Sequence, residues 1–127
     1  MKTKISLSIL GVYNTIIGII MMIFARGLGN EIVISNNTEV LRMGELVHYA
    51  LSPAILVIGL MLLLSRNSSL NTAKNLLLGY IIGTIVLMYV FFGIMASEPL
   101  MNFSVETAVP DIAMLGLAIF GYLKAKE

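Results

Sequence analysis

The sequence predicts an all-α membrane protein, an antiparallel bundle of four transmembrane helices with both termini in the cytoplasm. Four long stretches of the chain carry almost no charged residues, 58% of the 127 residues are hydrophobic, and 12% are charged, against roughly 25% in an average soluble domain. About 20 apolar residues in a helix rise about 30 Å, the thickness of the hydrocarbon core of a bilayer. Four such spans use about two-thirds of the chain, so we expect residues 1–127 to form a single transmembrane domain.

The first predicted span covers residues 5–25 and contains no charged side chain. A secretory signal has an apolar region of only about 7–15 residues and a small-residue cleavage site, so this longer run is expected to be a retained span. The second and third spans are predicted at residues 43–64 and 73–96. The fourth, at residues 107–124, is the shortest, with Thr107 as its expected N-cap and Pro110 accommodated in its first turn.

Basic residues predict the orientation of the four spans. With four spans, six basic residues fall on one side of the membrane: Lys2, Lys4, Arg66, Lys74, Lys124 and Lys126. The other side receives two arginines and most of the acids: Arg26, Arg42, Glu31, Glu39, Glu98 and Glu106. By the positive-inside rule, both termini and the short middle loop are cytoplasmic, in a multi-pass protein of the cell (inner) membrane.

The loops differ in character. Residues 65–72 form a short polar turn in which Asn71 or Thr72 is placed to cap the third span. In the longer first outer loop, residues 31–35 form an apolar patch between glycines and asparagines. This patch is expected either to lie on the membrane surface or to fold back over the mouth of the bundle.

Small residues in the first span predict how that helix packs. Lipid gives helices little hydrophobic reason to associate, so close packing of small residues and buried hydrogen bonds must hold the bundle together. Ser8, Gly11, Thr15 and Gly18 follow spacings of three, four and three and form one stripe. Asn14 lies beside this stripe, and because an unpaired amide in hydrocarbon is costly, we expect it to bond to another helix.

The third span carries a second small-residue pattern, Gly79-x-x-x-Gly83. Packing within one chain is the predicted role of these two glycines. The alternative is a homo-oligomer, or a larger membrane complex, assembled through the Gly79/Gly83 face.

One group of residues could form a ligand site. Arg42, Glu45, His48 and Ser52 share one face near the outer end of the second span. Asp111, in the predicted first turn of the fourth span, is expected at a similar depth. Because ionisable residues in spans usually face the bundle interior or a water-filled cavity, these five residues predict an outward-facing polar pocket.

A purely structural interpretation of the same residues is also open. The charged side chains would then lie in the headgroup region, and His48 would bond to a neighbouring carbonyl. Pro53 removes the hydrogen bond to the carbonyl of Tyr49, which predicts a kink there. A proton relay through Glu45 and His48 lacks an ionisable partner toward the inner leaflet.

Metal, cofactor and nucleic-acid chemistry find no support in the sequence. The absence of cysteine excludes thiolate ligands and nucleophiles. Glu45-x-x-His48 matches one element of a di-iron helix bundle, but such sites need two elements and further carboxylates. No phosphate loop, nucleophile elbow or basic patch for nucleic acid is present, so no metal, no cofactor and no nucleic-acid partner are expected.

Three apolar motifs resemble the DoxX-like family of small four-helix membrane proteins. They are Gly11-Val-Tyr-Asn-Thr-Ile-Ile-Gly18, the Arg42 to Leu46 entry into the second span, and Gly59-Leu-Met-Leu-Leu-Leu-Ser-Arg66. The resemblance covers most of the chain in layout and implies the fold, with little about function.

The leading functional expectation is an integral membrane protein without catalytic machinery. It would be an accessory subunit or a binder of a small ligand in the outward-facing pocket. The alternative is an oligomeric transporter or channel for a small solute. An intramembrane enzyme using Glu45 and His48 ranks third.

Overall fold

The computed structural model describes residues 2–125, and among these residues it contains helices and no β-strand. There are five α-helices: α1 (Lys2–Ile23), α2 (Ala25–Ile32), α3 (Thr38–Leu64), α4 (Leu70–Tyr89) and α5 (Val105–Leu123). A 3₁₀ turn, Ser65–Asn67, follows α3, and α4 continues into a π turn, Val90–Ile94, and a 3₁₀ turn, Met95–Ser97. Lys126, used above to predict orientation, lies outside the described residues.

Four helical segments are long and apolar enough to cross a membrane. They are Lys2–Ile23, Thr38–Asn67, Leu70–Ser97 and Val105–Leu123. They match the four predicted spans in order. α2 was not predicted.

Capping residues explain why two helices begin earlier than expected. α3 begins at Thr38 because the side-chain oxygen of Asn37 accepts a hydrogen bond from the amide of Glu39 at 2.8 Å. α4 begins at Leu70, and its cap is Ser69 rather than Asn71 or Thr72. The Ser69 hydroxyl accepts from the Thr72 amide at 3.3 Å and pairs with the Thr72 hydroxyl at 2.9 Å.

The fourth span also begins earlier than Thr107. α5 starts at Val105 with Ser104 as its N-cap, and the hydroxyls of Ser104 and Thr107 lie 3.2 Å apart. Pro110 is therefore the sixth residue of the helix rather than part of its first turn. The change moves Asp111 deeper into α5 than the sequence suggested.

One side of α1 packs closely against α3 through small residues. A Cβ added at Gly11 would lie 2.7 Å from Leu63 Cγ, and one added at Gly18 would lie 2.7 Å from the backbone nitrogen of Leu56. Gly59 of α3 meets the backbone of α1 at Thr15 in the same way. Only hydrogen atoms at these positions allow the two backbones to approach so closely.

α1 also packs against α4 and α5. The buried core that joins these helices with α3 is built from leucines and alanines: Leu7, Leu10, Leu62, Ala73, Leu77 and Ala118. The Thr3 hydroxyl donates to the carbonyl of Gly121 at 3.2 Å, and a Cβ at Gly121 would lie 2.5 Å from the Ser6 hydroxyl. We call this end of the bundle, with residues 2–4, 65–69 and 121–125, the terminal end.

The other end of the bundle, which we call the loop end, carries α2 and residues 98–104. Val33 and Met101 form an isolated antiparallel bridge, with Ile34 N donating to Leu100 O at 2.8 Å and Asn102 N donating to Ile32 O at 2.7 Å. The apolar patch of residues 31–35 is thus held against residues 100–102.

Candidate functional site

A cleft at the loop end contains two of the five residues predicted to form a polar pocket. It has a volume of about 340 Å³ and is lined by Arg26, Asn30, Thr38, Leu41, Arg42 and Glu45. Arg42 Nη1 lies 2.7 Å from Glu45 Oε2. The Arg42 side chain remains 58% exposed while that of Glu45 is 12% exposed, so the carboxylate is covered and the guanidinium still faces solvent.

Two glycines bring the walls of this cleft together. A Cβ at Gly29 of α2 would lie 2.7 Å from the backbone nitrogen of Glu45, and one at Gly44 would lie 2.9 Å from Val33 Cγ2. Their absence of side chains lets α2 lie directly on the first turns of α3. Arg26 and Asn30 are four residues apart in α2 and therefore share a face, which is how both reach the cleft.

The imidazole ring of His48 forms a hydrogen bond within its own helix. Its Nδ1 lies 2.8 Å from the carbonyl oxygen of Gly44, one turn earlier in α3. The side chain is partly buried and is not among the residues that line the cleft. This arrangement matches the purely structural interpretation of the sequence, in which His48 bonds to a neighbouring carbonyl.

Ser52 compensates for the proline that follows it. Pro53 has no amide hydrogen to donate to the carbonyl of Tyr49. The Ser52 hydroxyl donates to that same carbonyl at 3.3 Å, and Ser52 is fully buried. Ser52 therefore stabilises the helix locally and does not reach the cleft at the loop end.

Asp111 lies apart from the polar group on α3. Its Oδ1 accepts a hydrogen bond from the hydroxyl of Tyr13 at 3.0 Å. Tyr13 is at the middle of the 22-residue α1, on the side of that helix opposite the α3 seam. The expected grouping of Asp111 with Glu45, His48 and Ser52 therefore needs correction, because α1 separates α5 from that face of α3.

Asn14, the neighbour of Tyr13, makes a second polar contact between helices. Its amide donates to the hydroxyl of Tyr80 on α4 at 3.2 Å and to the carbonyl of Leu10 at 2.8 Å. On α4, the Thr84 hydroxyl donates to the carbonyl of Tyr80 at 2.8 Å. Three of the four long helices thus meet in one polar layer near the middle of α1.

The predicted packing glycines fall into two classes. Gly11 and Gly18 pack within the chain, against α3. At Gly79 and Gly83, no atom lies within 4 Å of an added Cβ, other than atoms of the adjoining residues and of the local α4 backbone, for the part of the chain that the structure describes. The prediction that Gly79 and Gly83 pack within one chain is therefore wrong, and their face of α4 is open.

Sequence reasoning missed Arg26 and Asn30 in the cleft, and Tyr13 and Tyr80 in the polar layer. Gly27 and Gly29 indicated a loop, which hid the i, i+4 spacing of Arg26 and Asn30 on a helix. Tyr13 and Tyr80 lie within apolar spans, where no local pattern shows which helices they contact. Within residues 2–125, no group of three or more His, Cys, Asp or Glu side chains is placed to hold a metal ion.

Comparison of the chain with protein-family models, with curated proteins and with solved structures found no match.

Proposed function

We propose that this chain is a multi-pass protein of the cell (inner) membrane that binds a small anionic ligand in the cleft between α2 and α3. The observation that carries the proposal is the composition of the cleft, whose lining contains two cationic side chains, Arg26 and Arg42, and one carboxylate, Glu45. Its volume of about 340 Å³ is at the lower end of the range for small-molecule pockets. A small carboxylate or phosphate compound fits this size and charge.

The chemistry of the two arginines supports an anionic ligand. Arg42 already pairs with Glu45, and this is the one ion pair found among residues 2–125. Arg26 therefore has no ion-pair partner among the described residues. A guanidinium presents a planar fork of donors that matches carboxylate and phosphate oxygens, and Asn30 and Thr38 add polar groups on either side.

The proposal includes an antiparallel bundle, which interhelical contacts support. Thr3, near the start of α1, bonds to Gly121 near the end of α5. Tyr13, at the middle of α1, bonds to Asp111, which lies ten residues earlier in α5. The same reversal occurs on the other side of α1, where Gly11 meets Leu63 and Gly18 meets Leu56. The contacts thus run in opposite directions along the paired helices, as they do between antiparallel neighbours.

Basic residues support a cytoplasmic location for the terminal end. This end carries Lys2, Lys4, Arg66, Lys74 and Lys124, and the positive-inside rule favours the cytoplasmic side for such a cluster. The loop end, with the arginine-lined cleft, then faces outward. The resemblance to DoxX-like proteins is consistent with such a layout and contributes nothing about the ligand.

Native mass spectrometry from a mild detergent tests the proposed function. We expect the full chain to bind one succinate, citrate or inorganic phosphate ion with saturation, and Arg26→Gln to weaken that binding. Lys124→Gln removes one positive charge at the opposite end and is the matched control. If none of the three anions binds, or if the Arg26→Gln variant binds them as well as the wild type, the proposal is contradicted. The accessory-subunit role would then remain.

A second candidate function is an oligomeric transporter or channel for a small solute. It is favoured by the open Gly79/Gly83 face, since small residues one turn apart allow two helices to approach closely. We expect Gly79→Leu/Gly83→Leu to convert an oligomer to a monomer in the same spectra. Ile85→Leu, at an exposed position on another face of α4, should not change the mass. A monomeric wild-type chain would rule this function out.

A further inference from the structure

A second cleft lies at the terminal end, far from the cleft discussed above. It has a volume of about 290 Å³, and its lining includes Lys4, Arg66, Asn67, Ser68 and Leu70. Lys4 comes from the first turn of α1, Leu70 begins α4, and the other residues belong to the connection between α3 and α4. Two basic side chains from distant parts of the sequence therefore converge on one site.

The charge of this cleft is uncompensated within residues 2–125. No ion pair there involves Lys4 or Arg66. Six of the seven acids of the chain belong to the loop end or to the polar layer: Glu31, Glu39, Glu45, Glu98, Glu106 and Asp111. The seventh, Glu127, lies outside the described residues.

Two neighbouring lysines are held by aromatic rings instead of contributing to the cleft. Lys2 Nζ lies 5.9 Å from the centroid of the Phe120 ring, and Lys74 Nζ lies 5.2 Å from that of Tyr122. Both are within the range of a cation–π interaction. Lys4 and Arg66 are therefore the cations that line the cleft itself.

The first turn of α4 lies at the same cleft. The Ser69 hydroxyl accepts a hydrogen bond from the amide of Thr72. The amides of Leu70 and Asn71, in the first turn of α4, have no hydrogen-bond partner within the helix. Leu70 lines the cleft. The positive end of the 20-residue α4 thus adds to the two cationic side chains.

Exposed apolar side chains lie next to the basic residues along the chain. Ile5 follows Lys4 and is 49% exposed, and Leu64 precedes Arg66 by two residues and is 83% exposed. Both belong to helices long and apolar enough to cross a membrane. A molecule that combines an anionic head with hydrocarbon chains would match both surfaces.

We propose that this cleft binds the phosphate of an anionic phospholipid headgroup, with Lys4 and Arg66 as its charged contacts. Basic pockets between transmembrane helices on the cytoplasmic side bind such headgroups. The phosphate lies between the two cationic side chains and the first turn of α4, while the acyl chains lie along Ile5 and Leu64. The inference is independent of a ligand in the α2/α3 cleft.

Native mass spectrometry of delipidated full-length protein tests this site. The probes are phosphatidylglycerol and phosphatidylcholine, added separately in mixed micelles, and inorganic phosphate. We expect the wild type to retain phosphatidylglycerol over phosphatidylcholine, and Lys4→Gln/Arg66→Gln to lose that preference. The expected loss is about fivefold for each basic residue removed.

Lys2→Gln/Lys74→Gln removes the same charge from the terminal end, at two lysines that do not line the cleft, and should keep the preference. Far-UV circular dichroism verifies that both double variants are folded. An equal affinity for the two lipids, or a preference that survives Lys4→Gln/Arg66→Gln, would overturn the proposal. Binding of inorganic phosphate through Lys4 and Arg66 without any lipid preference would also overturn it, since the site would then take free phosphate.

Discussion

At the scale of single residues, polar side chains far from either end of the bundle pair across helices. Tyr13 bonds to Asp111 and Asn14 bonds to Tyr80, which joins α1 to both α5 and α4. The need of Asn14 for a partner was predictable, because a buried amide is costly without one. Its partner was not, since no local pattern shows which helix faces which.

Replacement of Tyr13 by Phe should destabilise the protein by about 1 kcal/mol, because the carboxylate of Asp111 loses its hydrogen-bond donor. The measurement is the free energy of unfolding in a denaturing-detergent titration followed by circular dichroism. Asp111→Asn keeps an acceptor oxygen and should cost less than Asp111→Leu. If Tyr13→Phe and Asp111→Leu together cost the sum of their separate effects, the two side chains do not interact.

The Ser52 hydroxyl should matter only while Pro53 is present. Ser52→Ala leaves the Tyr49 carbonyl unpaired in the wild type, and we expect a cost of about 1 kcal/mol. In the Pro53→Ala background the amide of residue 53 can donate a hydrogen bond to that carbonyl, so the same serine substitution should have almost no effect on stability. A double-mutant cycle of unfolding free energies measures the difference. An equal cost in both backgrounds would assign Ser52 another role.

At the scale of elements, glycine spacing predicted a seam but not its full extent. The stripe of Gly11 and Gly18 was visible in the sequence, and it packs against α3. The continuation of the seam through Gly29 and Gly44 was hidden, because Gly27 and Gly29 in a short polar stretch indicated a loop. Tertiary packing of α2 on α3 overrides that local tendency, and for this reason the contribution of Arg26 and Asn30 to the cleft could not be predicted.

Two alanine substitutions distinguish the packed glycines from the open ones. Gly18→Ala would place a methyl group 2.7 Å from the Leu56 backbone, so we expect destabilisation of about 1–3 kcal/mol. Gly79→Ala, the matched control on α4, meets no side chain in the described residues and should leave stability unchanged or slightly higher. The thermal midpoint in detergent, followed by circular dichroism, gives both values. A larger loss at Gly79 than at Gly18 would contradict the described packing.

At the scale of the whole molecule, the four spans and their order were predictable, and the partners of α1 were not. Hydrophobic length alone identifies a span, since the bilayer sets it. The position of α1 between α3 on one side and α4 and α5 on the other depends on contacts between residues far apart in sequence. For that reason Asp111 was expected beside Glu45, whereas it contacts Tyr13 of α1. Of the five residues predicted to form one pocket, Arg42 and Glu45 line the cleft.

The chain has no cysteine, so a single introduced thiol reports which side of the membrane a loop occupies. The most direct test of the account is labelling of intact cells with a membrane-impermeant maleimide, using Asn36→Cys near the loop end and Ser69→Cys at the terminal end. We expect Asn36→Cys to react in intact cells and Ser69→Cys to react only after permeabilisation. Reaction of Ser69→Cys in intact cells, or protection of Asn36→Cys, would contradict the four-span bundle with an outward-facing arginine cleft.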